Sequence, residues 1–96
     1  MNNVYANITT DKIIDEIMNW GSQYNVDTQV SINRAMDALD TVAIAGDALD
    51  KTYAIGDLLM AAFIIAESES ADPRECLIKS WGTARNDPAY FGAEDR

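Results

Sequence analysis

The chain has 96 residues and a formal net charge of −9, which is enough for one domain, residues 1–96, without the basic surplus that nucleic acid or an anionic membrane attracts. One cysteine and no histidine exclude a disulfide framework and the common zinc sites. The first residues lack the basic start and apolar run of a signal peptide, and no apolar stretch would span a bilayer. We therefore expect a soluble, cytoplasmic protein that contacts neither nucleic acid nor membrane directly.

The first two predicted helices are amphipathic. Residues 10–24 repeat apolar side chains at a period near 3.6, and Thr9 or Thr10 is available as the N-cap. The apolar side of this helix carries Ile13, Ile14, Ile17, Met18 and Tyr24. After a short turn, residues 28–45 follow the same spacing. We expect the apolar stripe of the second helix to face the core; it consists of Ile32, Ala35, Met36, Leu39, Val42 and Ala43.

The third predicted helix covers residues 48–67, after a break at Gly46 and Asp47. Its segment 54–66 is apolar on nearly every side, which is typical of a helix buried by several neighbours. Asp57 is the one charged residue in that segment, and a buried carboxylate without a partner is costly. We expect a nearby side chain to satisfy it; the candidates are Arg34, Lys51 and Tyr53.

The fourth predicted helix, residues 72–85, begins at a strong start signal. Asp72, Pro73 and Glu75 hold its N-cap, N1 and N3 positions. Pro88 then stops the helix. We expect its packing side chains to be Leu77, Ile78, Trp81 and Ala84.

Four helices joined by short connections predict an all-α fold, a compact antiparallel four-helix bundle. The termini, residues 1–9 and 86–96, are expected to be loosely ordered unless Tyr90 and Phe91 dock on the bundle or on a partner protein. A third helix that is apolar all round fits a fully wrapped monomer and also a bundle completed by homodimerisation. The sequence leaves both open.

The order of three motifs resembles a known enzyme family. IMNWGSQYNV places Trp20 near the end of the first helix, AIGDLLMAAFIIAE places Gly56 and Asp57 in the third, and ADPRECL opens the fourth. Over about residues 11–86 this order resembles the MazG-like all-α nucleoside triphosphate pyrophosphohydrolases, in particular the short versions carried by phages. The resemblance implies cleavage of a nucleoside triphosphate to the monophosphate and pyrophosphate. It also implies Mg²⁺ held by an EExxE motif on the second helix and an ExxD motif on the third.

The acidic motifs that such an enzyme requires are degenerate in this chain. Asp57 matches the aspartate of ExxD, but Ala54 stands at the position of its glutamate. The three glutamate positions of the second helix fall on Arg34, Ala35 and Ala38 in one register, or on Ala35, Met36 and Leu39 in the other. Neither register contains a carboxylate. The resemblance therefore implies an inactive protein without a metal or other cofactor, in which Asp57 is the residual metal position.

A displaced metal site is the alternative that keeps enzyme activity. Asp37 and Asp40 are three residues apart on the second helix, and Asp50 lies seven residues before Asp57 on the third, so each pair shares a helical face. Together they would bind Mg²⁺ and support a rearranged (d)NTP pyrophosphohydrolase. The other interpretation of these aspartates, with Asp47, is a solvated acidic face.

Three functions are consistent with these residues. The lost ligands favour an inactive MazG-like protein that binds another protein, for example a phage product that modulates or inhibits a host or defence enzyme in the host cytoplasm. The second function is the Mg-dependent pyrophosphohydrolase, and the third is an acidic inhibitor that imitates the phosphate array of DNA. A protein partner would contact the acidic face or the aromatic tail, that is, Asp37, Asp40, Asp47 and Asp50, or Tyr90 and Phe91.

Overall fold

The computed structural model describes residues 9–44 and 46–92, and this part of the chain is all-helical. The helices are α1, Thr10–Gln23; α2, Thr28–Ile44; α3, Ala48–Ser68; and α4, Pro73–Asn86, followed by a 3₁₀ turn, Pro88–Phe91. The predicted helices are confirmed, and their ends agree within one residue wherever they are described. The expected last residue of α2, Ala45, and the chain ends 1–8 and 93–96 lie outside the described residues. Among the described helices, none is both long and apolar enough to cross a membrane.

Each of the four helices begins at a side-chain cap, which is Thr9 for α1, as predicted, and Asp27 for α2. The carboxylate of Asp47 accepts a hydrogen bond from the backbone N–H of Leu49 at 2.7 Å and caps α3. Asp72 caps α4 in the same way, through the N–H of Arg74 at 3.0 Å. Pro73 follows at the first helical position, where a missing N–H costs nothing. The start signals in the sequence therefore act as predicted.

Helix α3 lies at the centre of the fold, because α1, α2 and α4 all pack against it while the backbones of α1 and α2 stay apart. Its buried side chains are Ala54, Ala61, Ile64 and Ala66. Contrary to the expectation of burial on every side, Ile55 and Leu59 are more than half exposed. The neighbouring helices leave part of the surface of α3 uncovered. Some of its apolar side chains are therefore exposed to solvent in the single chain.

Helix α2 packs on α3 through small side chains instead of its apolar stripe. Ser31 and Ala38, seven residues apart on one face, are buried, whereas Ile32, Met36 and Leu39 are exposed. The prediction that the stripe faces the core is wrong for these three residues and for Ala43, which is exposed as well. Small side chains allow two helix axes to come close together. Successive residues turn by about 100° around a helix, so the stripe lies on a side of α2 that does not face α3. We call this side the outer flank.

Helix α4 buries little of its surface; Pro73 is its one buried residue. The prediction that its apolar side chains pack into a core is wrong for Leu77, Ile78 and Trp81, which are all exposed. The first turn is held by Arg74, whose guanidinium donates hydrogen bonds to Asp11 at 2.6 Å and Asp15 at 3.1 Å on α1. We call this group the Arg74 clamp. Beyond the clamp, α4 presents an apolar side that the rest of the described chain does not cover.

The segment after α4 has regular structure where a loose tail was expected. The helix continues to Asn86, and Pro88 ends it and begins the 3₁₀ turn. Gly92 closes this turn with a positive φ of 84°, a conformation that glycine adopts without strain. Tyr90 and Phe91 lie on the turn with their side chains exposed.

Candidate functional site

Asp57, the predicted residual metal position, is paired with an arginine. The guanidinium Nη2 of Arg34 on α2 lies 2.9 Å from the carboxylate Oδ2 of Asp57 on α3 and donates a hydrogen bond to it. The predicted partnership is confirmed, and of the three candidates Arg34 is the one used. The carboxylate is less buried than its apolar setting indicated, with 31% of the side chain exposed against 65% for Arg34. We call these two residues the ion pair.

A polar cleft lies between α2 and α3 on one side of the ion pair. Its volume is about 220 Å³, and it is lined by Arg34, Ala38, Thr41, Asp50, Tyr53, Ala54 and Asp57. The cleft brings Asp50 and Asp57 together, as their spacing predicted, but Asp37 and Asp40 do not line it. In the described part of the chain, no three Asp, Glu, Cys or His side chains are grouped closely enough to hold a metal ion. The displaced metal site remains a prediction.

The polar cleft also distinguishes the two possible registers of α2. Arg34 and Ala38, from the first register, line the cleft next to Ala54 and Asp57. Met36 and Leu39, from the second, are exposed and do not line it. The residues of the first register are therefore the ones that lie beside Asp57.

An apolar pocket lies on the other side of the ion pair, in the crevice between α1, α2 and α3. Its volume is about 270 Å³, and we call it the tryptophan pocket. It is lined by Trp20, Val26, Val30, Ser31, Arg34, Asp57, Met60, Ala61 and Ile64. Because Arg34 and Asp57 line both spaces, the ion pair forms a polar wall that separates the apolar pocket from the polar cleft.

Ser31 is the functional candidate that the sequence analysis missed. It lines the tryptophan pocket, only 2% of its surface is exposed, and its hydroxyl has no hydrogen-bond partner. Buried hydroxyls are almost always hydrogen-bonded, so an unpaired one requires an explanation. One sequence signal could have identified Ser31. It lies seven residues before Ala38, so both residues are on the same face of α2.

The acidic face predicted for partner binding is exposed in the structure. Asp37, Asp40, Asp47 and Asp50 are all accessible to solvent. Asp47 also has a structural task, since it caps α3 through the N–H of Leu49. The Tyr90 and Phe91 side chains are exposed as well. All six residues predicted to contact a partner are therefore accessible on the surface of the chain.

The Arg74 clamp is a second electrostatic feature that the sequence analysis did not identify. The pKa of Arg74 is raised above its ordinary value by its hydrogen bonds to Asp11 and then Asp15. The clamp joins residues about 60 positions apart, and neither local spacing nor helix periodicity reveals such a pairing. It links the first turn of α4 to α1.

Comparison of this chain with models of protein families, with curated proteins and with solved structures found no match in any of the three. The function must therefore be argued from the residues and their geometry.

Proposed function

We propose that this protein is a catalytically inactive MazG-like helical protein that acts by binding another protein. The observation that carries the proposal is the ion pair. Asp57, the one carboxylate left at a metal position of the resembled family, is already hydrogen-bonded to a guanidinium at 2.9 Å. A divalent cation at that carboxylate would lie beside the positive charge of Arg34, which would repel it.

The surroundings of Asp57 support the loss of catalysis. Two of the positions that would carry glutamate are the alanines Ala38 and Ala54, and both line the polar cleft beside the ion pair. A methyl side chain has no lone pair to offer a hard cation, which requires several oxygen ligands. An enzyme that relies on metal-held triphosphate would lack its ligand set here.

The exposed apolar side chains of α2 and α4 support binding to a protein. A single exposed apolar residue is ordinary, but clusters of them mark interaction surfaces. On α2 the cluster is Ile32, Met36 and Leu39, and on α4 it is Leu77, Ile78 and Trp81. Both clusters follow helical spacing, so each forms one continuous side of its helix.

We further propose that a second copy of the chain completes an antiparallel bundle by covering the outer flank of α2 and α3. Ser31 and Ala54 are buried, and the next residue on each helix, Ile32 and Ile55, is exposed. The step of one residue, to Ile32 or Ile55, turns by about +100° around the helix axis. The step of three residues, from Ser31 to Arg34 or from Ala54 to Asp57, turns by about −60°, that is, to the opposite side. The apolar flank thus lies away from the ion pair, and a dimer formed through it would leave the polar cleft open.

The resemblance gives the proposal a biological form, namely a phage-encoded modulator or inhibitor of a host or defence enzyme. The net charge of −9 and the exposed acidic face favour a partner with a basic surface. We propose that Asp37 and Asp40 contribute to this attraction, since neither lines the cleft nor caps a helix.

One observation favours the second candidate, a rearranged pyrophosphohydrolase. Asp50 and Asp57 line the same cleft, and Tyr53 and Thr41 add hydroxyl groups to it. If these oxygens held Mg²⁺ after Arg34 moved away, the Asp57→Ala variant would lose all turnover.

Pyrophosphate release separates the two candidates. Purified protein is incubated with each of the common (d)NTPs in Mg²⁺ and in Mn²⁺, alongside the Asp57→Ala variant as the matched blank. We expect the two proteins to give the same background rate. Release by the wild-type chain that disappears in Asp57→Ala would overturn the inactive assignment.

Sedimentation equilibrium tests the second copy. We expect a reversible dimer whose dissociation constant rises at least tenfold in Met36→Lys, because that substitution places a charge in an apolar interface. Gln23→Lys makes a comparable change in charge at an exposed position of α1 and should leave dimerisation unchanged. A monomer at all concentrations would contradict dimerisation without affecting the test of catalysis.

A further inference from the structure

We infer that a second copy of the chain covers the apolar side of α4. In this arrangement α4 of each copy packs across the outer flank of α2 and α3 of the other copy, so two identical contacts hold one dimer. The inference rests on the proposed function, because it names the part of the second copy that meets the flank. Four observations carry it, namely the attachment of α4, the continuity of the apolar surface, its area, and the position of the positive charge.

Helix α4 is attached to the rest of the fold at one end. The Arg74 clamp holds its first turn, and on the α4 side the groove between α3 and α4 is lined no further than Ser80. Beyond that residue the 3₁₀ turn lies against α4, and Trp81 and Phe91 line an apolar notch of about 400 Å³ between them. We call residues 77–91 the α4 arm. Because only its base is held, the arm can contact a second molecule without a change in its own fold.

The apolar surface of the arm continues into the outer flank. Ala62 lies seven residues after Ile55 and therefore on the same side of α3. It also lines the groove between α3 and α4, together with Leu77 of the arm. A molecule that covers the flank of α3 would therefore meet the arm at its edge.

The area of the outer flank alone is small for a homodimer. Its large apolar side chains are 38–59% exposed; they are Ile32, Met36, Leu39, Ile55 and Leu59. Aromatic side chains bury about 150–250 Å² each and aliphatic ones bury less, so these five offer at most about 400–650 Å². Obligate homodimers bury about 1,000 Å² per partner or more. The arm adds four side chains that are 59–81% exposed, namely Leu77, Ile78, Trp81 and Phe91. With the arm, each copy contributes about twice the apolar area, which reaches the homodimer range.

Charge complementarity favours the same pairing. Among the described helices, α4 is the one with a net positive charge, +2, from three basic residues and one acidic residue. Helix α2 has one basic and two acidic residues and α3 has one basic and three acidic residues, which gives −3 for the two together. Arg74 and Lys79 are paired within their own chain. Arg85 lies four residues after Trp81, on the apolar side of α4, and forms no ion pair with a described residue. A positive arm is attracted to the acidic α2 and α3 of a second copy and is repelled by the arm of that copy.

Sedimentation equilibrium of Trp81→Lys tests the arm in the way that Met36→Lys tests the flank. We expect the dissociation constant of the dimer to rise at least about tenfold in Trp81→Lys, because the substitution places a charge in an apolar contact. Thr83→Lys makes a comparable change two residues further on, about 200° around the helix, and should leave dimerisation unchanged. An equal mixture of Trp81→Lys and Met36→Lys should form more dimer than either variant alone. In the mixed dimer one of the two contacts joins an unaltered arm to an unaltered flank.

Paramagnetic broadening in a mixed dimer locates the arm directly. A nitroxide is attached to Thr83→Cys in a Cys76→Ser background, which leaves a single cysteine. This chain is mixed with ¹⁵N-labelled chain that carries Cys76→Ser alone. We expect the amide signals of Met36 and Ile55 in the ¹⁵N-labelled chain to broaden, and that of Glu16, at an exposed position of α1, to broaden less.

The inference is overturned if broadening is confined to α4 of the ¹⁵N-labelled chain, since the two arms would then meet each other, or if no amide broadens. It is also overturned if Met36→Lys weakens the dimer and Trp81→Lys does not; in that case the flank dimer stands and the arm takes no part in it. A monomer at all concentrations would contradict both the dimer and this inference. None of these outcomes changes the pyrophosphate test, so the loss of catalysis is judged separately.

Discussion

Helices α2 and α4 both pack against α3, but they do so in opposite ways. Helix α2 turns its small residues, Ser31 and Ala38, toward α3 and lies close along it. Helix α4 is held at its first turn by the Arg74 clamp and leaves Ile78 and Trp81 exposed. The difference shows that the large apolar side chains of α2 and α4 do not mark the interior of the single chain, although Ile64 of α3 does. The close packing of α2 on α3 relies on small residues, and the large side chains of α2 and α4 remain exposed.

The largest expected effect comes from replacing a buried isoleucine of α3 by alanine, with the same replacement on the exposed side of α4 as the control. Ile64→Ala removes buried methyl groups from α3 and should lower the free energy of unfolding by about 2–5 kcal/mol. Ile78→Ala makes the same change on α4, where the side chain is exposed, and should cost about 0.5 kcal/mol or less in dilute solution. Chemical denaturation of both variants gives the two values. Equal losses would show that α4 packs more tightly than we describe.

Removing the helix caps should give an intermediate effect. Asp47→Ala removes the cap of α3 and should destabilise the whole fold by about 1 kcal/mol, because α3 contacts every other helix. Asp72→Ala removes the cap of α4 and should act locally, by speeding amide exchange in α4 while the unfolding midpoint moves less. Hydrogen exchange combined with denaturation distinguishes the two. A larger drop in midpoint for Asp72→Ala would reverse the ranking of the helices.

The ion pair should contribute less. In a double-mutant cycle of Arg34→Ala and Asp57→Ala, we expect a coupling energy of about 0.2–1 kcal/mol that decreases as salt is added. Lys79 and Glu75, 3.1 Å apart within α4, are the reference pair, and both are more exposed than Asp57. Coupling at the ion pair that does not exceed the reference would argue against a special role for Arg34.

The smallest change in global stability is expected at the Arg74 clamp. Arg74→Gln removes the cation that joins α4 to Asp11 and Asp15 and should speed amide exchange in the first turn of α4. Lys79→Gln, which breaks a bridge within α4, should leave that turn unchanged. Identical exchange in wild type and Arg74→Gln would mean that something other than the clamp positions α4.

The helices themselves could be predicted because their signals are local. Asp47 and Asp72 cap the helices that follow them, Pro88 stops α4, and apolar periodicity fills the segments between. That Asp57 would be paired was also predictable, since an isolated carboxylate in an apolar segment requires a partner. The sequence left Arg34, Lys51 and Tyr53 open, and Arg34 is the one used.

Which side of α2 and of α4 packs against α3 could not be predicted in the same way. Hydropathy selects Met36 and Leu39 as the inner side of α2, but it cannot tell burial within one chain from burial against another. The exposed stripe is consistent with the interface that we propose on this side of α2. Ser31 and the Arg74 clamp were missed because each depends on distances between helices, which sequence spacing does not specify.

The most direct test of the central claim is a Mn²⁺ titration followed by paramagnetic broadening of backbone amide signals. We propose that Arg34 takes the place of a cation at Asp57. The amides of Asp50 and Asp57 should therefore broaden no more than those of acids elsewhere on the surface, such as Asp40. Selective broadening at Asp50 and Asp57, at metal concentrations that leave Asp40 unaffected, would contradict this proposal. It would instead support a metal site in the polar cleft and the pyrophosphohydrolase alternative.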